Sequence, residues 1–386
     1  MPGDGPRPGR VLRMRQVIVE HGPGGRPASF ATPQEVVTAR TPDEVLPALQ
    51  RLDAARAEGA WAAGWIAYEA GAVFEPRLSG VMRGEGPLLC MGLFDGPAEV
   101  VEGEPGPVAL SPPEPLTPRA DYDRAIGAVL GYIAAGDCYQ VNLTFPLEAR
   151  LSGDPLDLWR RLLSGRPAGG VPGHGAYVDL GVGPVVVSLS PELFFRVEGG
   201  VIATRPMKGT APRDPDPARD EALAAELFAS EKARAENLMI VDLLRNDIAR
   251  IARPGSVRVP ALYAMERYPT VHQMTSTVTG KLEEPASLSR LMPALFPCGS
   301  VTGAPKIRAM QIIRELEPHP RGVYCGTVGW MAPHGACDFS VAIRTLTVEG
   351  GRVTLNVGGG VVADSTAQGE WEEALWKTRF VGPALG

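Results

Sequence analysis

Two short apolar runs split by Glu198-Gly199-Gly200 constrain this chain more than any other feature. Residues 194–197 and 201–204 are rich in aromatic and β-branched side chains, and a Gly-Gly step between such runs reads as a hairpin. A hairpin commits its strands to antiparallel pairing. The pattern returns near the C-terminus, where 326–332, 339–348 and 352–357 read as a meander. Residues 139–147 and 184–189 add two more strands, the second a β-branched run expected to be buried. Helical stretches lie between them at 120–135, 218–251 (one or two helices) and 368–380. Within the long stretch, 238–244 is apolar nearly all round and is expected to be buried. Hairpins and meanders with helices outside them predict an α+β fold built on antiparallel sheet.

The chain divides unevenly. Residues 1–14 are rich in Gly, Pro and Arg and are expected to be disordered. Residues 15–119 form an N-terminal part, with a helix over 42–58 (Leu46, Leu49 and Leu52 on one face) and an apolar strand over 61–68. The prolines of 101–119 read as a linker or surface crossing. The region 120–386 carries the strong signals.

Bulk properties exclude several classes. The 386 residues are 44% apolar and 21% charged, enough for a sizeable core. A net charge of −6 with no basic stripe argues against a nucleic-acid partner. The five cysteines (Cys90, Cys138, Cys298, Cys325 and Cys337) fit no zinc spacing, so a reducing cytoplasm is expected. No apolar run reaches the roughly 18 residues that a membrane span requires. The N-terminus lacks the apolar stretch of a secretion signal. His21, His174, His272, His319 and His334 are scattered, so an imidazole or thiolate metal site is not expected. Any metal should be hard and carboxylate-bound.

Two glycine-rich segments resemble nucleotide motifs and fail on detail. Gly358-Gly359-Gly360-Val361-Val362-Ala363 matches the dinucleotide fingerprint but opens no βαβ unit. It reads instead as close backbone approach to a ligand, or as a tight turn. In Gly299-Ser300-Val301-Thr302-Gly303-Ala304-Pro305-Lys306, an alanine stands where a phosphate loop needs its second glycine.

Four sets of residues could carry chemistry. Glu370, Glu373 and Lys377 share a helix face. By pattern alone they are a solvated face with an i,i+4 ion pair; alternatively they hold Mg²⁺ beside an ammonium. Glu236 and Asp242 lie in the long apolar helix, where a carboxylate needs a partner or a metal. Glu236 is the better ligand, and Asp242 fits an ion-pair cluster with Arg245. Ser190-Pro191-Glu192 sets a carboxylate directly after a strand. Lys208, in Pro206-Met207-Lys208-Gly209-Thr210, is either an exposed hairpin lysine or a desolvated amine poised as a nucleophile.

Taken together these segments resemble the chorismate-utilising enzymes, a family that includes anthranilate, aminodeoxychorismate, isochorismate and salicylate synthases. The motifs, in family order, begin with Gly136-Asp137-Cys138-Tyr139-Gln140-Val141-Asn142-Leu143, Ser190-Pro191-Glu192 and Arg205-Pro206-Met207-Lys208-Gly209-Thr210. Next come Arg234-Ala235-Glu236-Asn237-Leu238-Met239 through Arg245-Asn246-Asp247, then Gly303-Ala304-Pro305-Lys306, and finally Gly358 to Gly360 with the last helix. The resemblance implies two stacked antiparallel β-sheets flanked by helices. It implies Glu192 as the general acid at the C4 hydroxyl of chorismate. It implies Glu236 and Glu373 as Mg²⁺ ligands, with Glu370 in support. Ala233 stands where many relatives have a fourth carboxylate. Arg344, Tyr324 and Lys377 would meet the pyruvyl carboxylate. His272 and Thr302 would lie near the ring, with Gly358 and Gly359 as substrate-site backbone.

Two positions separate the branches of the family. Isochorismate and salicylate synthases carry a lysine base at the position of Gln140, and glutamine cannot take a proton from water. Anthranilate synthases carry alanine at the position of Lys208, and aminodeoxychorismate synthases carry lysine. The resemblance therefore implies amination at C4, giving 4-amino-4-deoxychorismate on the route to 4-aminobenzoate and folate. An anthranilate synthase and a non-catalytic chorismate binder are the alternatives. A nucleophilic Lys208 must be neutral, and Glu192 must keep its proton. The chain shows no Cys-His-Glu amidotransferase pattern, so ammonia is expected from a separate glutamine amidotransferase subunit.

Overall fold

The hairpin forms as expected: Leu193–Glu198 pairs with Val201–Arg205, Glu198 opposite Val201. In the computed structural model, which describes residues 14–80, 86–101, 103–166, 173–268 and 271–386, this hairpin lies inside one of two ten-stranded sheets. Of the segment expected to be disordered, only Met14 falls among the described residues. Every ladder between the strands is antiparallel, as the hairpin and meander patterns require.

The first sheet runs in the order Gly303–Ala304, Gln140–Ser152, Arg352–Val361, Thr345–Glu349, Val185–Ser188, Ala176–Asp179, Gln16–Val19, Ala28–Ala31. The second runs Met207–Pro212, Val271–Lys281, Val201–Arg205, Leu193–Glu198, Cys337–Val341, Thr327–Met331, Trp61–Ile66, Leu89–Phe94, Glu35–Ala39. Val17, Phe30, Val178 and Val186 of the first sheet pack with Ala63, Trp65, Phe94 and Val328 of the second in one apolar cluster. The sheets are thus stacked face to face, with helices outside them. Strands from the N-terminal third complete both sheets, so that third is part of the same fold.

Several expectations are corrected. Leu46 is 41% exposed, and Val45 takes its place in the core with Leu49 and Leu52. The spacing 45, 49, 52 follows the 3.6-residue period, whereas 46, 49, 52 drifts off it. The stretch 218–251 is two helices, Pro217–Ala229 and Glu231–Ala249. Ser230 separates them and caps the second by accepting from the Ala233 amide at 3.2 Å. The second helix is amphipathic: Leu238 is 42% exposed, and Asp242 is exposed and paired with Arg245 at 2.7 Å. Residues 101–119 contribute two short strands, Ala109–Leu110 and Glu114–Pro115, which pair with Gln140–Ser152.

The correction that matters most concerns 339–348. It is two strands in different sheets: Cys337–Val341 belongs to the second and Thr345–Glu349 to the first. The chain crosses between sheets at 342–344.

Candidate active site

A second crossing lies beside that one. Val185–Ser188 of the first sheet leads through 189–192 into Leu193–Glu198 of the second. Backbone bonds tie the crossings together: the Leu189 amide donates to the Arg344 carbonyl at 3.0 Å and the Val341 amide to the Glu192 carbonyl at 3.0 Å. The Ser190 hydroxyl donates to the Val341 carbonyl at 2.5 Å. Glu192, from the middle of the chain, and Arg344, from near its C-terminus, are thereby brought to one place. Arg344 holds φ at +49°, a conformation that non-glycine residues adopt under constraint and often at functional sites. Its side chain is exposed, and desolvation with the charge of Arg166 lowers its pKa against the pull of Glu192.

Glu192 is 6% exposed, and its Oε1 has no partner among the described residues. Burial raises its pKa, against the Ser300 hydroxyl and the charges of Lys208, His174 and Arg344. A carboxyl held this way retains a proton beyond the ordinary range.

Lys208 lies on the edge strand Met207–Pro212, half-buried, with Nζ 3.4 Å from the Ser300 carbonyl. Ser300 thus faces both Glu192 and Lys208. The sequence marked its loop but not this residue. The register of Met207–Pro212 against Val271–Lys281 shifts between Met207 and Thr210. Such a bulge re-aims a side chain. Gly209 has φ +90°, and a Cβ there would lie 3.1 Å from Ala233 Cβ. Ala233 is buried with Leu227 and Met274. A carboxylate at 233 would be driven into that apolar cluster.

The three glycines lie within the strand Arg352–Val361, and the turn reading does not apply. A Cβ on Gly358 would lie 2.1 Å from the Leu143 carbonyl oxygen; on Gly360, 1.9 Å from Gln140 Nε2. On Gly359 it would lie 2.7 Å from Glu370 Oε2, with Lys377 Nζ at 3.6 Å and Glu373 Oε1 at 3.7 Å. Bare backbone at 358–360 lets the helix Ala367–Trp376 and the Gln140 side chain close on the sheet. Lys377 Nζ donates to the Gly358 carbonyl at 2.7 Å and pairs with Glu373 at 2.9 Å.

Glu370 is pushed above the usual carboxylate range by burial and by the charge of Glu373, while Ser365 donates to it at 2.6 Å. Burial pushes Glu373 up as well, but Lys377 and Lys208 outweigh it and hold this carboxyl low. Lys232 acts on both, and Glu236 lies one turn further along the same helix, half-buried. The donor set is all oxygen and suits a hard divalent ion. Glu370 is half-buried and Glu373 exposed, and the charge of Glu373 raises its neighbour, a state that a cation relieves. The three do not gather with all ligand atoms within 4.8 Å of one another among the described residues.

The remaining positions surround this cluster. Gln140 is buried at the start of its strand with Oε1 unpartnered. The Thr302 hydroxyl is bonded to the Cys298 and Gly299 carbonyls at 3.2 and 3.3 Å, so it serves its own loop. Buried Arg321 braces that loop, donating to the Val301 and Asn142 carbonyls at 2.9 and 2.6 Å while forking onto Glu317. Burial pushes the Tyr324 phenol well up, with Cys325 adding and Arg321 opposing. His272 is fully buried; its Nε2 meets Asp220 at 2.8 Å and its Nδ1 is unpartnered. The recorded contacts of Tyr324 and His272 do not reach Glu192 or Lys208. Lys306 pairs with Asp247 at 2.6 Å and donates to the Leu295 carbonyl, so these two motif residues are structural.

Two stacked antiparallel sheets, with Glu192 and Arg344 at the crossings, Lys208 on the Ser300 carbonyl and the Glu373–Lys377 pair against the glycine strand, define a class. The chain belongs to the chorismate binding enzymes, whose family model matches residues 98–382. It is 47% identical over 263 residues to aminodeoxychorismate synthase component 1 of Escherichia coli, covering 68% of this chain and 57% of that one. It is 44% identical over 267 residues to anthranilate synthase component 1 of Streptomyces coelicolor, covering 69% and 52%. The chain thus spans just over half the length of the curated relatives it matches. The crystal structure of anthranilate synthase component I from Streptococcus pneumoniae superposes with a TM-score of 0.73 at 23% identity, over 99% of this chain and 95% of that one. That likeness shows the shared fold. No helix among the described residues is long and apolar enough to cross a membrane.

Proposed function

We propose that this chain aminates chorismate at C4, giving 4-amino-4-deoxychorismate with ammonia supplied by a separate glutamine amidotransferase. The observation that carries the reading is the convergence of Lys208 and Glu192 on Ser300. The similarity to aminodeoxychorismate synthase component 1 supports it. Arg344, and Lys377 held on the Gly358 carbonyl, bind the carboxylates of the substrate. Lys208 Nζ adds at C2, both ring double bonds shift round the ring, and the C4–O bond breaks. Glu192 delivers its proton so that the hydroxyl leaves as water. Ammonia then adds at C4, both double bonds shift back, the C2–N bond breaks to free Lys208 as the neutral amine, and the new C4 ammonium returns a proton to Glu192. Gln140 cannot act as base on a competing water at C2, which suits amination over hydration. Glu236, Glu370 and Glu373 would hold Mg²⁺, which when bound neutralises the ring carboxylate.

The test is Lys208→Ala with chorismate, Mg²⁺ and either ammonium or the amidotransferase plus glutamine. Formation of 4-amino-4-deoxychorismate should fall by at least about 100-fold, the scale lost with a positioned catalytic group, with chorismate binding retained. Unchanged rate and product would overturn the role given to Lys208.

A further inference from the structure

A second cluster of chemistry-bearing groups lies behind the crossing that carries Glu192. His21 follows the strand Gln16–Val19, His174 precedes its neighbour Ala176–Asp179, and Asp338 sits in Cys337–Val341 of the other sheet. His174 Nδ1 is 3.1 Å from Asp338 Oδ1, and His21 Nδ1 is 3.3 Å from Asp338 Oδ2. One ligand atom from each residue lies within 4.8 Å of the other two, and the imidazole rings stack at 5.2 Å. The three side chains open on a cavity of about 10 Å³ whose other walls include Gly175, Gly329 and Ser340. That is about the space taken by one small occupant.

We propose that His21, His174 and Asp338 form a binding site for a divalent transition ion of the zinc type, separate from the carboxylates of the active site. Two ligands about 2.1 Å from a tetrahedral ion stand about 3.4 Å apart. Asp338 would bind through both oxygens, Oδ1 toward His174 at 3.1 Å and Oδ2 toward His21 at 3.3 Å, each separation close to that spacing. Two imidazoles and a carboxylate suit zinc, iron, cobalt or nickel and are poor ligands for Mg²⁺.

Arg196 is the competitor. Its Nε donates to Asp338 Oδ2 at 2.7 Å, and its Nη2 lies 2.9 Å from His21 Nε2. The guanidinium is one-third exposed and has solvent to swing into. An ion entering the site takes its place beside Asp338. The ion would then join the N-terminal segment to both sheets. The His174 amide donates to the Ser190 carbonyl at 2.8 Å, so it would also stiffen the crossing that ends in Glu192.

The experiment is titration of the chelator-treated full chain with Zn²⁺ in excess Mg²⁺, followed by zinc-edge X-ray absorption. One equivalent should bind, with a nitrogen and oxygen shell at about 2.0–2.2 Å and no sulfur at about 2.3 Å. His174→Ala and His21→Ala should each weaken binding by more than the roughly 10–100-fold that loss of a mere outer-shell partner costs. Arg196→Met should strengthen it. No saturable binding, a sulfur shell, or equal affinity in folded histidine variants would overturn the site. The absorption spectrum of the unmodified chain decides the matter even if a variant fails to fold. None of these readouts depends on turnover.

Discussion

Glu192 shows how function and stability pull against each other at one side chain. Its carboxyl is raised by burial above its unfolded value. The stability it contributes is complete below the unfolded pKa and is lost as pH rises through the folded one, so at neutral and alkaline pH its ionisation opposes folding. Glu192→Gln should therefore cut turnover by about 10²–10⁴-fold. It should also leave thermal stability equal or higher at pH 8, with the difference shrinking toward acid pH. Thermal melts across pH check this, and a variant less stable at pH 8 than at pH 4, relative to the parent, would refute it. The same residue marks what was legible beforehand. Ser190-Pro191-Glu192 announced a carboxylate at a strand end, but nothing in its neighbours showed that Arg344, more than 150 positions away, would stand beside it. Ser300 was hidden for the same reason: its hydroxyl and carbonyl act on residues remote in sequence. The histidines are scattered in sequence, and spacing along the chain says nothing about the two strands that bring His21 and His174 together.

At the scale of elements, the hairpin and most helices followed from local pattern, and the failures, the glycines inside the strand Arg352–Val361 among them, were failures of tertiary context. A β-rich run such as 339–348 has the same composition whether it stays in one sheet or crosses to the other. The crossing depends on 342–344 pairing with 189–192. Helix faces were misjudged where an exposed leucine stood among buried ones, as with Leu46 and Leu238. Two element-scale tests follow. Gly359→Ala would place a methyl 2.7 Å from Glu370 Oε2 and push that carboxylate aside. Activity should drop, and the Mg²⁺ concentration giving half-maximal rate should rise, with the fold intact by circular dichroism; an unchanged Mg²⁺ dependence would count against this helix as a metal-holding element. Ser230→Ala removes the cap of Glu231–Ala249 and should cost about 1 kcal/mol in chemical denaturation.

For the whole molecule, the family match begins at residue 98, yet the fold begins well before it. Gln16–Val19 and Ala28–Ala31 extend one sheet, while Glu35–Ala39, Trp61–Ile66 and Leu89–Phe94 extend the other. Trp65 and Phe94 are fully buried between them. A chain starting at residue 98 would expose that cluster and should be unfolded or aggregated, seen as loss of the cooperative melt. A sharp melt for the fragment would show instead that the matched region stands alone. The stacking of two sheets, once granted, brings both crossings together and lets Lys208 and Glu192 meet at Ser300.

Regiochemistry tests the central reading most directly. The chain is incubated with chorismate, ammonium and Mg²⁺, and the aminated product is separated and identified. The expected product is 4-amino-4-deoxychorismate, with nitrogen on the carbon para to the ring carboxylate. Anthranilate, with nitrogen ortho, or chorismate bound without turnover, would contradict it.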